Sequence, residues 1–439
     1  MLDPTPNLED FQSYERACRE FRWQIPDSFN IADAVLSRHA DAITRVALVD
    51  VRPGGLNTYT YGGLDYLSDK FATALTQRGV VRGDRVAVML PQSAAAMIAQ
   101  LGAMKLGTVV VPLSPVLEAW ALEYVLKDTG ARALVIHHTH RNKLESMHSS
   151  LGAVFAVNKF KPEFDDADPD FDFWREVFEA SADFTPVETA GDSAAFTFFG
   201  SASNDRLERA TYCHAALIHQ LPAFEMCNNL QLGENSTFWT PQHWASIDSS
   251  LSSVYPALWY GWRIVSSESL TPSSNYMDVI ERCGVTNLLG TPSELKRLLQ
   301  SNPASSSEFK LRNLVCTGPT YADVEGWATE LGVSVNTIYC NALGGSPAAS
   351  CNPWFEARRG SLGRVAPGYS IEIVDQQGTT LPGGSEGRVA ILRTDQQPQE
   401  LATRKLSPVS DSVGDWIVSE DVGSKDEDGS FWPASSSED

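Results

Sequence analysis

Residues 82–115, RGDRVAVMLPQSAAAMIAQLGAMKLGTVVVPLSP, read as strand, helix and strand in direct succession. The runs Val86–Leu90 and Val109–Leu113 are continuously apolar, as strands covered on both faces are. Between them lies an alanine-rich, almost wholly apolar helix. Working outward, residues 62–80 carry apolar positions at helical spacing and end at a glycine. Residues 117–136, LEAWALEYVLKDTGARALVI, repeat helix then strand. Such alternation predicts βαβ units, a largely parallel sheet and helices on both faces.

Upstream, residues 8–50 read as helices with capping signals at Asp27 and Ser28, giving way to strands at 46–51 and 58–61 around a Pro-Gly-Gly turn. Downstream, residues 158–192 turn acidic and aromatic, a surface excursion with a short helix. Residues 196–214, FTFFGSASNDRLERATYCH, read as a strand, a loop of small polar residues, then a helix. That layout aims backbone N–H groups at a phosphate. The loop nevertheless holds one glycine, Gly200, and acids at Asp205 and Glu208. Alternation resumes to residue 318, and from Gly360 short strands and turns predict a small antiparallel sheet.

The 439 residues, 43% hydrophobic and 20% charged, suit a large globular α/β body. A net charge of -21 disfavours nucleic acid and anionic membrane as partners. Seven scattered cysteines without a C-x-x-C pair predict neither a disulfide framework nor a zinc site. The N-terminus is polar and acidic, unlike a secretory signal, and no apolar run has transmembrane length. The expectation is a cytoplasmic protein. His137, His138 and His140 read as a polar loop rather than a metal site.

Four segments together resemble the adenylate-forming acyl-CoA synthetases of the AMP-dependent synthetase and ligase superfamily. They are 82–115, the aromatic stretch 238–265, the β-rich stretch 361–391 and the tail 421–439. The resemblance implies the large-domain fold of that family: two βαβ-type sheets layered with helices plus a small antiparallel β-subdomain. Expected bounds are 1–355 for the α/β large domain, 356–434 for the β-subdomain and 435–439 for a hinge remnant, with the C-terminal lid absent. It also implies chemistry in which a carboxylic acid and ATP, with Mg, form an acyl-adenylate that passes its acyl group to CoA. The expected partner is then a carboxylic acid or acyl ligand, with a protein partner or homo-oligomer also open.

By the same resemblance, the phosphate loop T-S-G-T-T-G-x-P-K-G falls on Gly200 to Arg209. Ser201 and Ser203 survive, Ala202 and Asp205 replace glycines, and Glu208 stands in the lysine position with Arg209 beside it. The adenine turn falls on Thr317 to Thr320 and keeps Gly318. The Y-G-x-T-E motif falls on Tyr339, Cys340, Asn341, Ala342 and Leu343, so a leucine replaces the magnesium-binding glutamate. The ribose aspartate is kept as Asp421, while serines 435 and 436 stand where an arginine is expected. Trp239, His243 and Trp244 fall on the acyl-pocket segment; packing within a core is the competing reading for the aromatic residues. The expectation is an acyl-CoA synthetase-like protein with impaired catalysis, no assigned catalytic residue and no metal ligand. The alternative is an active acid-CoA ligase with atypical phosphate contacts or a lid supplied in trans.

Overall fold

The structure, a computed structural model, describes residues 7–39, 41–52, 54–144, 151–157, 170–201, 207–233, 235–267, 276–300, 309–341, 345–392, 412–413 and 416–434. Strand Arg85–Met89 pairs in parallel with both Val109–Pro112 and Ala133–His137. With Phe171–Asp172, Ala153–Val157, Ala194–Ser201 and Leu207–Cys213 these form a seven-stranded sheet among the described residues. Only its last pair, Ala194–Ser201 with Leu207–Cys213, is antiparallel. The apolar strand runs of the sequence are thus the buried centre of a parallel sheet, as their composition requires.

The helix between the first two strands, Ala94–Lys105, is buried along its whole length, which explains why it lacks a polar face. It packs on helix Tyr61–Gln77 at Gly102, where an added Cβ would stand 2.7 Å from the Ser68 carbonyl oxygen and 3.1 Å from Phe71 Cβ. Only a glycine lets these helices approach so closely. Lys105, fully buried, is neutralised by Asp65 and Asp69, each 2.6 Å from its amine.

A second sheet has nine strands among the described residues. Its six central strands run in parallel, in the order Ser334–Asn341, Asn313–Cys316, Asn287–Gly290, Thr237–Trp239, Arg263–Ser267, Val46–Arg52. Antiparallel strands close both flanks: Gly55–Thr60 on one, Gly345–Ala349 and Arg364–Val365 on the other. Residues 371–392 and 412–433 supply the small antiparallel sheet, Ile371–Val374, Glu386–Leu392, Trp416–Lys425 and Phe431–Pro433 among its strands. The fold is therefore the layered α/β large-domain architecture, two largely parallel sheets and a small antiparallel one.

Candidate functional site

Strand Ser334–Asn341 outruns its parallel partner: the ladder with Asn313–Cys316 ends at Thr337. Its last residues pair instead with Gly345–Ala349. The register of that pairing shifts between Tyr339 and Asn341, whose side chains nevertheless meet. The Tyr339 phenol donates to Asp421 Oδ2 at 2.6 Å, and the Asn341 amide donates both to Asp421 Oδ2 and, at 3.1 Å, to Tyr339 Oη. Asp421 comes from Trp416–Lys425 in the small sheet, and its backbone N–H donates to Ser419 Oγ at 3.1 Å. Three of the nucleotide candidates thus converge from two sheets. Burial, then the Asp421 charge, pushes the Tyr339 phenol far above its ordinary pKa, so it stays a neutral donor. Asp421 itself is exposed.

Gly318 follows strand Asn313–Cys316, where the Thr317 N–H donates to the Gly290 carbonyl at 3.1 Å. Thr320 donates to Glu325, which also takes Arg359 at 2.8 Å, so this turn is tied to helix Ala322–Glu330. It lies at the carboxyl ends of parallel strands, the side on which open α/β sheets bind ligands.

The segment read as strand, loop and helix is instead a β-hairpin followed by a helix. Ala194–Ser201 pairs antiparallel with Leu207–Cys213, Ser201 opposite Leu207, and the helix Ala216–Cys227 starts only afterwards. In residues 209–212 half-buried Arg209 and Thr211 alternate with buried Ala210 and Tyr212, a period of two hidden by polar residues at the turn. The backbone N–H groups along the paired stretch serve the ladder. Ser203 lies outside the described residues, as do Ala202, Asp205, Leu343 and the 435–439 hinge; Ser201 is described by its backbone. Arg209 is committed elsewhere: its guanidinium donates to Asp128 Oδ2 at 2.8 Å and to the Asp128 carbonyl at 3.3 Å, at the end of helix Ala119–Thr129.

The three acyl-pocket candidates do not share one surface. Trp239 is fully buried with Val265, Leu288 and Tyr276, whose ring meets it edge-on at 5.5 Å. Trp244 is buried in the other, larger core, and His243 is exposed. The indole N–H groups of Trp239 and Trp244 have no hydrogen-bond partner among the described residues.

One chemically distinctive residue in this stretch escaped sequence reading. Asp248, in the run SIDSS, is half-buried, and the Cys340 thiol donates to its carboxylate. A single aspartate among serines gives no motif, and its partner is far away in the chain. Two polar clefts of about 290 and 260 Å³ also open among the described residues, sharing Asn235. They are lined by Arg263, Asn287 and Asn313, the first residues of parallel strands, and so lie at the opposite strand ends from Tyr339 and Asp421.

A profile of the AMP-binding enzymes matches residues 37–395. The mitochondrial acyl-coenzyme A synthetase ACSM3 of Mus musculus is 25% identical over 99% of this chain and 77% of its own length. The Homo sapiens protein of the same name is 25% identical over 98% of this chain and 75% of its own length. Among solved structures, an acyl-CoA synthetase of Brucella canis superposes with a TM-score of 0.88 at 23% identity, covering 98% of this chain and 80% of the other. The inhibitor-bound N-terminal domain of FACL13 from Mycobacterium tuberculosis superposes with a TM-score of 0.78 at 18% identity, covering 92% of this chain and 99% of that domain. No described helix is long and apolar enough to cross a membrane. The two-sheet architecture and these similarities agree: the chain belongs to the AMP-binding enzyme family, on the scaffold of the acyl-CoA synthetases.

Proposed function

We propose that this chain is a catalytically impaired acyl-CoA synthetase homologue that binds a carboxylic acid or acyl ligand and an adenine nucleotide. The observation that carries the reading is the contrast between the two ends of the nucleotide candidate site. At the ribose end, Tyr339 and Asn341 hold Asp421 in place and leave it exposed. At the phosphate end, the basic candidate Arg209 is paired with Asp128, and a glutamate occupies the lysine position of the family's loop. A triphosphate in a poorly solvated site needs donors and cations, and a carboxylate facing it costs several kcal/mol. Mg has the same difficulty, since Leu343 stands in the place of its carboxylate ligand. The unpaired cysteines, five of them buried, suit a reducing compartment such as the cytoplasm.

Calorimetric titration with AMP is expected to give saturable binding that Asp421→Ala abolishes. Pyrophosphate release with ATP, Mg, CoA and straight-chain acids from acetate to dodecanoate is expected to stay at background. Turnover at the rate of an ordinary acid-CoA ligase would refute the impaired reading in favour of an active ligase with atypical phosphate contacts. No heat at millimolar AMP would refute nucleotide binding altogether.

A further inference from the structure

The two polar clefts belong to one row of strand starts. In the nine-stranded sheet Arg263 stands beside Thr237, Phe238 beside Asn287 and Asn287 beside Asn313, with about 4.8 Å from each strand to the next. The clefts open along this row and meet at Asn235, just before strand Thr237–Trp239. The cleft of about 290 Å³ is lined by two arginines, Arg45 and Arg263. Arg45 is set in place: its Nε donates to Asp41 Oδ1 at 2.8 Å and its side chain is only 16% exposed. An added Cβ at Gly261, another lining residue, would collide with Arg45 Nη1, and φ of 73° there also favours glycine. Arg263 is half-buried, and its guanidinium has no hydrogen bond or ion pair among the described residues.

The cleft of about 260 Å³ adds a third cation, the exposed Arg312, likewise uncommitted among the described residues. Against these three guanidinium groups the described lining sets one carboxylate, Asp41, which Arg45 already holds; Glu234 lies outside the described residues. A net-positive recess on a chain of net charge -21 runs against the bulk composition and focuses the local field on anions. The planar fork of a guanidinium matches the oxygens of a phosphate in pairs. Buried Asn228, Asn287 and Asn313 also line the second cleft. Their amides carry both donors and acceptors, a wall that suits hydroxyl groups and rejects an alkyl chain.

We infer that the joined clefts bind a small phosphate ester with a hydroxyl-rich body, of the sugar-phosphate class. Arg45 and Arg263 take the phosphate, and the body lies along the asparagines toward Arg312. The site is at the opposite strand ends from Asp421 and stands whether or not the nucleotide candidates bind. The test is calorimetric titration of the full chain at low salt with glucose 6-phosphate, inorganic phosphate, glucose and hexyl phosphate. Glucose 6-phosphate is expected to bind saturably and about ten-fold or more tightly than each of the others, because each lacks one part of the fit. Arg263→Ala is expected to weaken it about ten-fold or more, the value of a charged hydrogen-bond partner, while Asp421→Ala leaves it unchanged. Where Arg263→Ala does not fold, Arg263→Gln keeps the stem and removes the charge. No heat from glucose 6-phosphate up to about 10 mM overturns the site. Equal binding of inorganic phosphate overturns the part given to the asparagine cleft, and equal binding of hexyl phosphate overturns the choice of a hydroxyl-rich body. Undiminished binding in a folded Arg263 variant, or loss in Asp421→Ala, overturns the location.

Discussion

Glu225 sits in an environment far from what its side chain wants. It is almost completely buried on helix Ala216–Cys227, accepting from the Tyr260 hydroxyl and from the Leu8 backbone N–H, each at 2.6 Å. Desolvation pushes its pKa from 4.5 up to about 8, against the pull of those two donors. An acid whose pKa folding raises holds its proton more tightly in the native state than in the unfolded one. Its contribution to stability is therefore most favourable below the ordinary carboxylate range and declines as pH rises from 4.5 to about 8. Glu225→Gln, which keeps an acceptor but cannot ionise, is expected to flatten that decline by a few kcal/mol across the interval. Urea unfolding of both chains at pH 5, 6.5 and 8 measures it, and equal slopes would remove Glu225 as the cause. Because Leu8 bonds the same carboxyl, ionisation also bears on the 3-10 turn Leu8–Asp10, whose two acids face the growing charge.

At the scale of elements, an asparagine network ties together the end of helix Ala216–Cys227 and three strands. Asn287 and Asn313 both donate to Asn228 Oδ1, at 2.7 and 3.2 Å. Asn336 donates to Asn229 Oδ1 and Asn313 Oδ1, at 3.0 and 2.8 Å, and accepts from Ser350 Oγ and the Asn352 amide. Asn229 adopts a left-handed backbone, φ 57°, which asparagine tolerates better than most residues. Replacing Asn336 with leucine would strand several of these groups in the interior, with an expected loss of about 3 kcal/mol in denaturant unfolding. A loss below about 1 kcal/mol would mean the network relaxes around the gap. None of this was legible in the sequence, because the bonds join asparagines as much as 107 residues apart and no local period marks them. The parallel strands were legible, since burial on both faces leaves apolar runs such as Val86–Met89 and Val109–Val111. The hairpin at 194–213 was not, because its second strand alternates half-buried polar residues with buried ones next to a polar turn. Asp421, Tyr339 and Asn341 were singled out as candidates by motif order alone. Their hydrogen bonding, and the commitment of Arg209 to Asp128, required the fold.

The whole molecule carries 55 acidic and 34 basic residues, an excess that acts over distances no single contact reaches. Locally the chain offsets some of it with exposed i,i+4 ion pairs, including Arg16–Glu20, Lys127–Glu123, Arg175–Glu179 and Arg282–Asp278. Each is worth about 0.3–0.5 kcal/mol and weakens in salt. The net charge of -21 acts in the opposite sense, because packing like charges into a compact body is repulsive and unfolding relieves that repulsion. Raising ionic strength from about 0.01 to 0.15 M shortens the screening length from roughly 30 to 8 Å, well under the width of a domain this size. Repulsion summed over the excess acids should therefore fall by more than the helix-surface pairs lose. The expected outcome is a melting temperature that rises by a few degrees over that interval in sodium chloride at pH 7.5, then levels off. The same rise should follow for potassium or choline chloride, because screening does not distinguish among monovalent cations. A melting temperature that falls with salt would mean the ion pairs outweigh the net charge. A rise confined to one cation would instead mark specific ion binding.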